Sequence, residues 1–289
     1  MTQALADIFA AASPWPERLS TGVEPRLPKL PGVRAVVFDV YGTLVVSGSG
    51  DIGLTASQDR AESMRAALEA ESIGVDAGAM VEGLDAGVRS QHAELKARGV
   101  DHPEVEIREV WRAALADAAP ASAHLPAEQI ERLCVRYESL VNPVGPMPGA
   151  AECLETLAWR GLVMGIISNA QFFTPLLFGV FLGKSVDGFG FAPTLRYYSF
   201  EHRRAKPGVD LYRMAADGLG GLGVPPEAVL YIGNDMRNDV WPAAAVGFRT
   251  ALFAGDRRSL RLREDDPGRE ARPEPDAVVT ELAQIADIV

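Results

Sequence analysis

The chain has 289 residues, 47% of them apolar, and a formal charge of −11. That is enough apolar material for one sizeable domain carrying an insert, and the acidic balance excludes a broad nucleic-acid-binding surface, because affinity for a phosphate backbone comes from clustered Lys and Arg. No apolar run approaches the roughly 20 residues that cross a bilayer, and Cys134 and Cys153 form neither a CxxC pair nor a group with histidine, which excludes a disulfide framework and a zinc site.

At the start, ALADIFAAA (4–12) looks faintly like the core of a secretion signal, but no basic residue precedes it and Asp7 interrupts it, so a cytoplasmic protein is expected. Residues 13–33 hold five prolines and read as an extended arm. RAVVFDV (34–40) is a short β-branched run ending in a carboxylate, the pattern of a parallel strand buried on both faces. The chain turns glycine-rich at SGSGDIG (47–53) and then reads as helical for almost a hundred residues. Val81, Leu84, Val88 and Leu95, and later Ile130, Leu133, Cys134, Tyr137, Leu140 and Val141, repeat at helical spacing. About four helices are expected there, closed by the Pro/Gly hinge NPVGPMPGA (142–150).

Beyond the hinge the strand and helix patterns alternate again. A helix at ECLETLAWR precedes the strand LVMGIIS (162–168), and the aromatic segment 171–200 reads as core with a buried strand near LRYYSF. A helix begins at Pro207, well placed as a first helical residue. Strand AVLYIGN (228–234), helix DVWPAAAV (239–246) and strand FRTALF (248–253) follow, then a mixed-charge stretch (256–276) expected to be a solvated excursion, and a last short strand and helix. This describes a doubly wound parallel α/β sheet, Rossmann-like, with an inserted α-helical cap. The boundaries read as an arm at 1–33, a core at 34–46 and 146–289, and a cap at 47–145.

Ligands of such sheets bind beyond the carboxyl ends of the strands. Asp39, Ser168, Lys206, Asp235 and Asp239 all fall there. Three carboxylates in one crevice repel one another and raise each other's pKa unless positive charge is supplied. A divalent cation together with Lys206 would supply it, and carboxylates, a backbone carbonyl and water suit Mg2+. A carboxylate beside such charge can act as a nucleophile and form a covalent intermediate.

FDVYGTL, IISN, KPGVDLY and IGNDMRNDV together resemble, in order, the four motifs of the haloacid dehalogenase-like hydrolase superfamily, and the helical insert resembles its C1-type cap. The resemblance covers residues 34 to 253. It implies that Asp39 is the nucleophile, that Ser168 holds an oxygen of the transferred group, and that Lys206 neutralises both. It further implies Mg2+ ligated by Asp39, the backbone carbonyl of Tyr41, Asp235 and Asp239, with Thr43 and Asn169 as supporting phosphate-binding residues. Asp239 read alone could instead be the N-cap of helix 239–246.

Tyr41 departs from the phosphatase pattern, in which a second aspartate two residues after the nucleophile handles the proton of the leaving alcohol. A phenol of pKa near 10 is poorly matched to that work near neutrality. Tyrosine there resembles the 2-haloacid dehalogenase branch, whose leaving halide needs no proton and whose chemistry needs no metal. The first motif thus points toward dehalogenation and the last toward Mg2+ and phosphate. The last motif is given more weight, since two clustered aspartates in a metal-free site would be electrostatically costly. The expectation is a Mg2+-dependent phosphatase of a small phosphorylated metabolite, with no nucleic-acid or membrane partner and the oligomeric state open. The alternatives are a 2-haloacid dehalogenase and a catalytically weak metal- and phosphate-binding protein. A cap group such as His92, His102 or His124 could do the proton work, and none is assigned it.

Overall fold

The computed structural model describes residues 2–12, 15–48, 57–119 and 124–289. Its centre is a six-stranded parallel sheet made of β1 (Ala35–Phe38), β4 (Val163–Ser168), β5 (Phe191–Tyr198), β6 (Val229–Gly233), β7 (Arg249–Phe253) and β8 (Ala277–Val279), in the order β5-β4-β1-β6-β7-β8. The strands run apolar because each face is covered. Val36, Phe38, Ile166, Leu230 and Ile232 point into one core, and Ala35, Val37, Ile167, Tyr197 and Tyr231 into another. Register decides where the polar ends emerge: Phe38 pairs with Ile166 on one side and Ile232 on the other, so Asp39, Ser168 and Asn234 leave the sheet at one edge. The chain winds outward from β1 in one direction, crosses back to β6 and winds in the other. A crevice opens where the order reverses.

The helical segment lies between two short strands, β2 (Val45–Ser47) and β3 (Val144–Pro146), which pair antiparallel into a two-stranded ribbon. Helices α2 (Ser57–Ala70), α3 (Ala77–Ala97), α4 (Ile107–Ala118) and α5 (Ala127–Val141) build their own core from Met64, Met80, Leu84, Trp111, Leu133 and Tyr137. Asp76 caps α3, its carboxylate accepting from Ala79 N at 2.8 Å. Leu140, expected on the buried stripe of α5, is 47% exposed. Most of the glycine-rich stretch expected at 47–53 lies outside the described residues. Among the described residues no helix is long and apolar enough to cross a membrane.

Helix α6 (Ala150–Trp159) follows the hinge, and short α7 (Ser199–His202) follows β5. Helix α8 begins at Asp210 rather than Pro207, because residues 206–209 are taken up by a turn in which Gly208 N donates to Ala205 O. After β6 comes a single π turn, Met236–Val240, and then α9 (Trp241–Ala245); the chain ends in α10 (Gln284–Ile288). The faint signal-like stretch is a helix, α1 (Thr2–Ala11). Its apolar anchors Leu5 and Phe9, four residues apart on one face, join the main core, where Phe9 meets Phe173 with ring centroids 5.7 Å apart. Replacing Phe9 by alanine is expected to cost about 3 to 5 kcal/mol, the usual range for truncating a buried phenylalanine. A urea-unfolding series checks this through the midpoint at constant slope.

The arm that follows is extended, as its prolines require. Leu19 N donates to Asp256 Oδ1 at 2.7 Å, Thr21 Oγ1 to Ala254 O at 2.8 Å, and Leu30 N to Ile288 O at 2.7 Å. Arg26 exchanges backbone hydrogen bonds with Val278, blunting the free edge of β8. The solvated excursion expected at 256–276 holds for its later part, where residues 264–274 are mostly exposed, but not for its start. Asp256 and Ser259 are buried, and residues 256–263 cross over the carboxyl end of β6, because the arm and the backbone of 234–236 hold them there.

Candidate active site

Two glycines make room for this edge. After Asp39 the chain turns tightly, with Gly42 at φ +79°, where a Cβ would lie 2.6 Å from Ser259 Cβ. At the end of β6 a Cβ on Gly233 would lie 2.3 Å from Asp239 Cγ, so only glycine lets that carboxylate fold back over the strand end. Asp39 Oδ1 accepts from Ser168 Oγ at 2.8 Å and lies 2.8 Å from Lys206 Nζ. Its Oδ2 accepts no hydrogen bond from the described residues and is left for the cleft that Asp39 lines. Lys206 Nζ also reaches Asp239 Oδ1 at 2.6 Å. The Tyr231 hydroxyl lies 3.0 Å from the same Oδ1 and 3.1 Å from Ile167 O.

The cleft holds about 100 Å³ and is lined by Asp39, Tyr41, Asn169, Lys206, Asp235 and Asp239, with Ser47 from the ribbon, Asn142 just before its second strand, and Ser259 and Arg261 from the crossing loop. Burial works to lower the Lys206 pKa, but the charges of Asp239 and Asp39 outweigh it and hold the ammonium above its ordinary value. Burial likewise pushes Asp239 up, against the pull of Lys206. Lys206, Asp39 and Asp239 form one buried unit.

Asn169 grips the backbone of Lys206 at both ends, its Oδ1 accepting from Lys206 N at 2.8 Å and its Nδ2 donating to Lys206 O at 3.2 Å. Thr43 is fully buried and does not line the cleft; its hydroxyl donates to Asn234 Oδ1 at 3.2 Å. Asp239 is no helix cap. That task falls to Asp235, whose Oδ1 accepts from Arg237 N at 2.8 Å and Asn238 N at 3.3 Å. The Tyr41 hydroxyl is paired with Thr174 Oγ1 at 3.0 Å, and burial, then the charge of Glu138, pushes the phenol well above its ordinary pKa. His92, His102 and His124 do not line the cleft.

A family model described as haloacid dehalogenase-like hydrolase matches residues 33–247. The chain belongs to that family. Phosphoglycolate phosphatase from Salmonella typhimurium is 30% identical over 232 residues, spanning 76% of this chain and 80% of that protein. The Escherichia coli strain K12 phosphoglycolate phosphatase is 28% identical over the same length and shares of each chain. Among solved structures, 2-haloacid dehalogenase from Pseudomonas syringae pv. Tomato DC3000 aligns over 89% of this chain and 97% of its own, with TM-score 0.56 and 18% identity. A HAD phosphatase from Thermococcus onnurineus does so over 89% and 97%, with TM-score 0.50 and 17% identity. These two share the fold.

In this haloacid dehalogenase-like hydrolase the expected Mg2+ set does not fit the arrangement seen. Both oxygens of Asp235 are engaged by Arg263, Nε at 3.0 Å from Oδ1 and Nη2 at 2.5 Å from Oδ2. Among the described residues no three Asp, Glu, His or Cys side chains gather as a metal-binding group. Sequence reasoning missed Arg263, which sits in the stretch taken for solvated loop. It also missed Glu138 on α5, whose carboxyl burial pushes up and whose Oε1 accepts from the cleft-lining Asn142 at 3.0 Å. For Glu138 the one available signal was a charged residue on a packed helix; Arg263 carried no local signal.

Proposed function

We propose that this protein is a hydrolase that carries its reacting group as an ester on Asp39 and acts on small phosphorylated metabolites. The observation that carries this reading is the clamp on Asp39 Oδ1, held by Lys206 and Ser168 at 2.8 Å each while Oδ2 is left for the cleft. Oδ2 attacks phosphorus, the bond to the leaving oxygen breaks, and water then releases phosphate from the aspartyl ester. Lys206 offsets the charge that builds on the transferred group. The phosphoglycolate phosphatases among the relatives support a small anionic phosphomonoester, as does the small volume of the cleft. Mg2+ is not carried into this proposal, because Asp235 is held by Arg263.

The Tyr41 phenol, bonded to Thr174 and raised in pKa, does not serve as proton donor or base near neutrality. Esters whose leaving group needs no proton are therefore expected to turn over about 10² to 10⁴ times faster than alkyl phosphates of similar size. Phosphate release from para-nitrophenyl phosphate and from phosphoglycolate, measured side by side, checks this. Absence of phosphate release from both, and from a wider set of small phosphomonoesters, would sink the reading.

A second reading, hydrolysis of short 2-haloacids, is favoured by one specific observation. Every carboxylate at the strand ends already has a cationic partner, Lys206 for Asp39 and Asp239 and Arg263 for Asp235, so a metal-free site is not the electrostatic burden the sequence suggested. Halide release from 2-chloropropionate in the presence of chelator, without phosphatase activity, would replace the first reading with this one.

A further inference from the structure

We propose that Arg263 is a built-in counter-ion of the last-motif carboxylate, so that a divalent cation reaches Asp235 only by displacing it. The inference rests on the phosphomonoesterase reading only in the choice of Mg2+ as probe, and its test measures binding rather than turnover.

The guanidinium meets the Asp235 carboxylate as a two-pronged fork, one nitrogen to each oxygen. That geometry suits a planar guanidinium and gives stronger, more directional bonding than a point charge. Asp235 is 5% exposed, so water screens the pair little. The carboxylate also accepts two backbone N–H groups at the start of the π turn. Oδ1 thus has three donors and Oδ2 one, all of Oδ2's bonding going to Arg263, and the direction of the carboxylate is fixed by the turn it caps.

The loop that delivers Arg263 is itself held in place. Arg261 N donates to Asn234 O and Met236 N to Arg261 O, both at 2.9 Å, so the loop backbone is stitched along both sides of Asp235. Arg263 then adopts φ +57°, a left-handed conformation that is unfavourable for a residue with a Cβ. Such an outlier persists where its surroundings over-determine it and marks a place where side-chain direction matters. Here the direction it secures is toward Asp235. Upstream, Asp256 anchors the loop to the N-terminal arm, and Arg257 N returns a bond to Leu19 O at 2.9 Å. The cation is thus positioned by elements from both ends of the chain.

A hexahydrated divalent ion gives up water reluctantly and wants carboxylate oxygens turned toward it. At this site it would have to break a part-buried charge-assisted pair as well, and it would sit beside the guanidinium it displaced. Isothermal titration calorimetry with Mg2+ on the full chain tests this, comparing the wild type with Arg263→Gln, Arg263→Lys and the double variant Arg263→Gln/Asp235→Asn. Arg263→Gln is expected to bind Mg2+ at least about tenfold more tightly than the wild type, given the strength of bidentate buried pairs. The double variant should lose that gain. Near-UV circular dichroism reports whether each variant keeps native packing. Should Arg263→Gln fail to fold, Arg263→Lys carries the same comparison, since lysine cannot span both oxygens and should also bind Mg2+ more tightly than the wild type. Equal binding by the wild type and the folded variants, within about twofold, would overturn the proposal, and so would absence of binding in all of them. Failure to find any phosphate-releasing activity would leave the titration difference standing, so the two readings fail separately.

Discussion

Asp39→Asn is expected to lower turnover by about 10⁴ to 10⁶-fold, on phosphomonoester or haloacid alike, because an amide oxygen is far too weak a nucleophile to form the ester. The fold should survive the change. Asparagine keeps the shape and keeps an acceptor for Ser168 Oγ, and Lys206 retains Asp239 at 2.6 Å as its ionic partner. Steady-state kinetics beside a thermal melt separate the two effects. A variant that retained more than about 1% of wild-type kcat/KM would place the nucleophile elsewhere. A collapse of the melting temperature would show instead that Asp39 holds the strand ends together.

The second large effect is expected in stability. Lys206→Met removes the cation that sits between two buried carboxylates, and stranding buried charge in this way costs about 3 to 5 kcal/mol. Its pH dependence gives the mechanism away. The folded-state pKa of Lys206 is raised above its ordinary 10.5, so its contribution is complete below that pH and is lost as pH rises through the folded value. In the methionine variant Asp239 loses the cation that holds its pKa down, so its folded pKa climbs further above the about 6 it has beside Lys206, and the folded state binds a proton that the unfolded state releases. Stability of the variant must therefore go on falling as pH climbs past about 6, where the wild-type Asp239 releases its proton, and the gap to wild type must widen from there upward. Urea denaturation at several pH values checks the sign. A gap that stayed constant with pH would mean that methionine disturbs packing rather than charge.

How much of this was legible in the sequence follows from how each residue is held. Strands buried on both faces read as continuous apolar runs, so a polar residue ending one stands out; Asp39 and Ser168 were found that way, and the register of β1 with β4 and β6 explains why they meet. Lys206 and Asp239 fell at motif positions and do converge. Asp235 belonged to the same motif, yet its carboxylate turns to cap the π turn and to meet Arg263, a choice made by backbone geometry after Gly233 rather than by residue type. Arg263 itself sits in a mixed-charge stretch whose composition matches any solvated loop. Its place is set by a crossing of chain segments far apart in sequence, and no local period reports such a crossing. The hydroxyl of Tyr231 was invisible for the opposite reason, being one aromatic among apolar strand residues, with only the fold deciding that its tip reaches Asp239.

The N-terminal helix carries a consequence for handling the protein. Leu5 and Phe9 fill a trough between α5 of the insert and the aromatic turn around Phe173 and Phe178. The family match starts at residue 33, which makes that position an inviting place to cut an expression clone. A clone cut there would bare an apolar seam where the helical insert meets the core, and would also free the loop that carries Arg263 from its anchor at Leu19. Sticky, poorly behaved material from such a clone would be an artefact of the cut, and its metal and substrate preferences would describe a different site from the one in the whole chain.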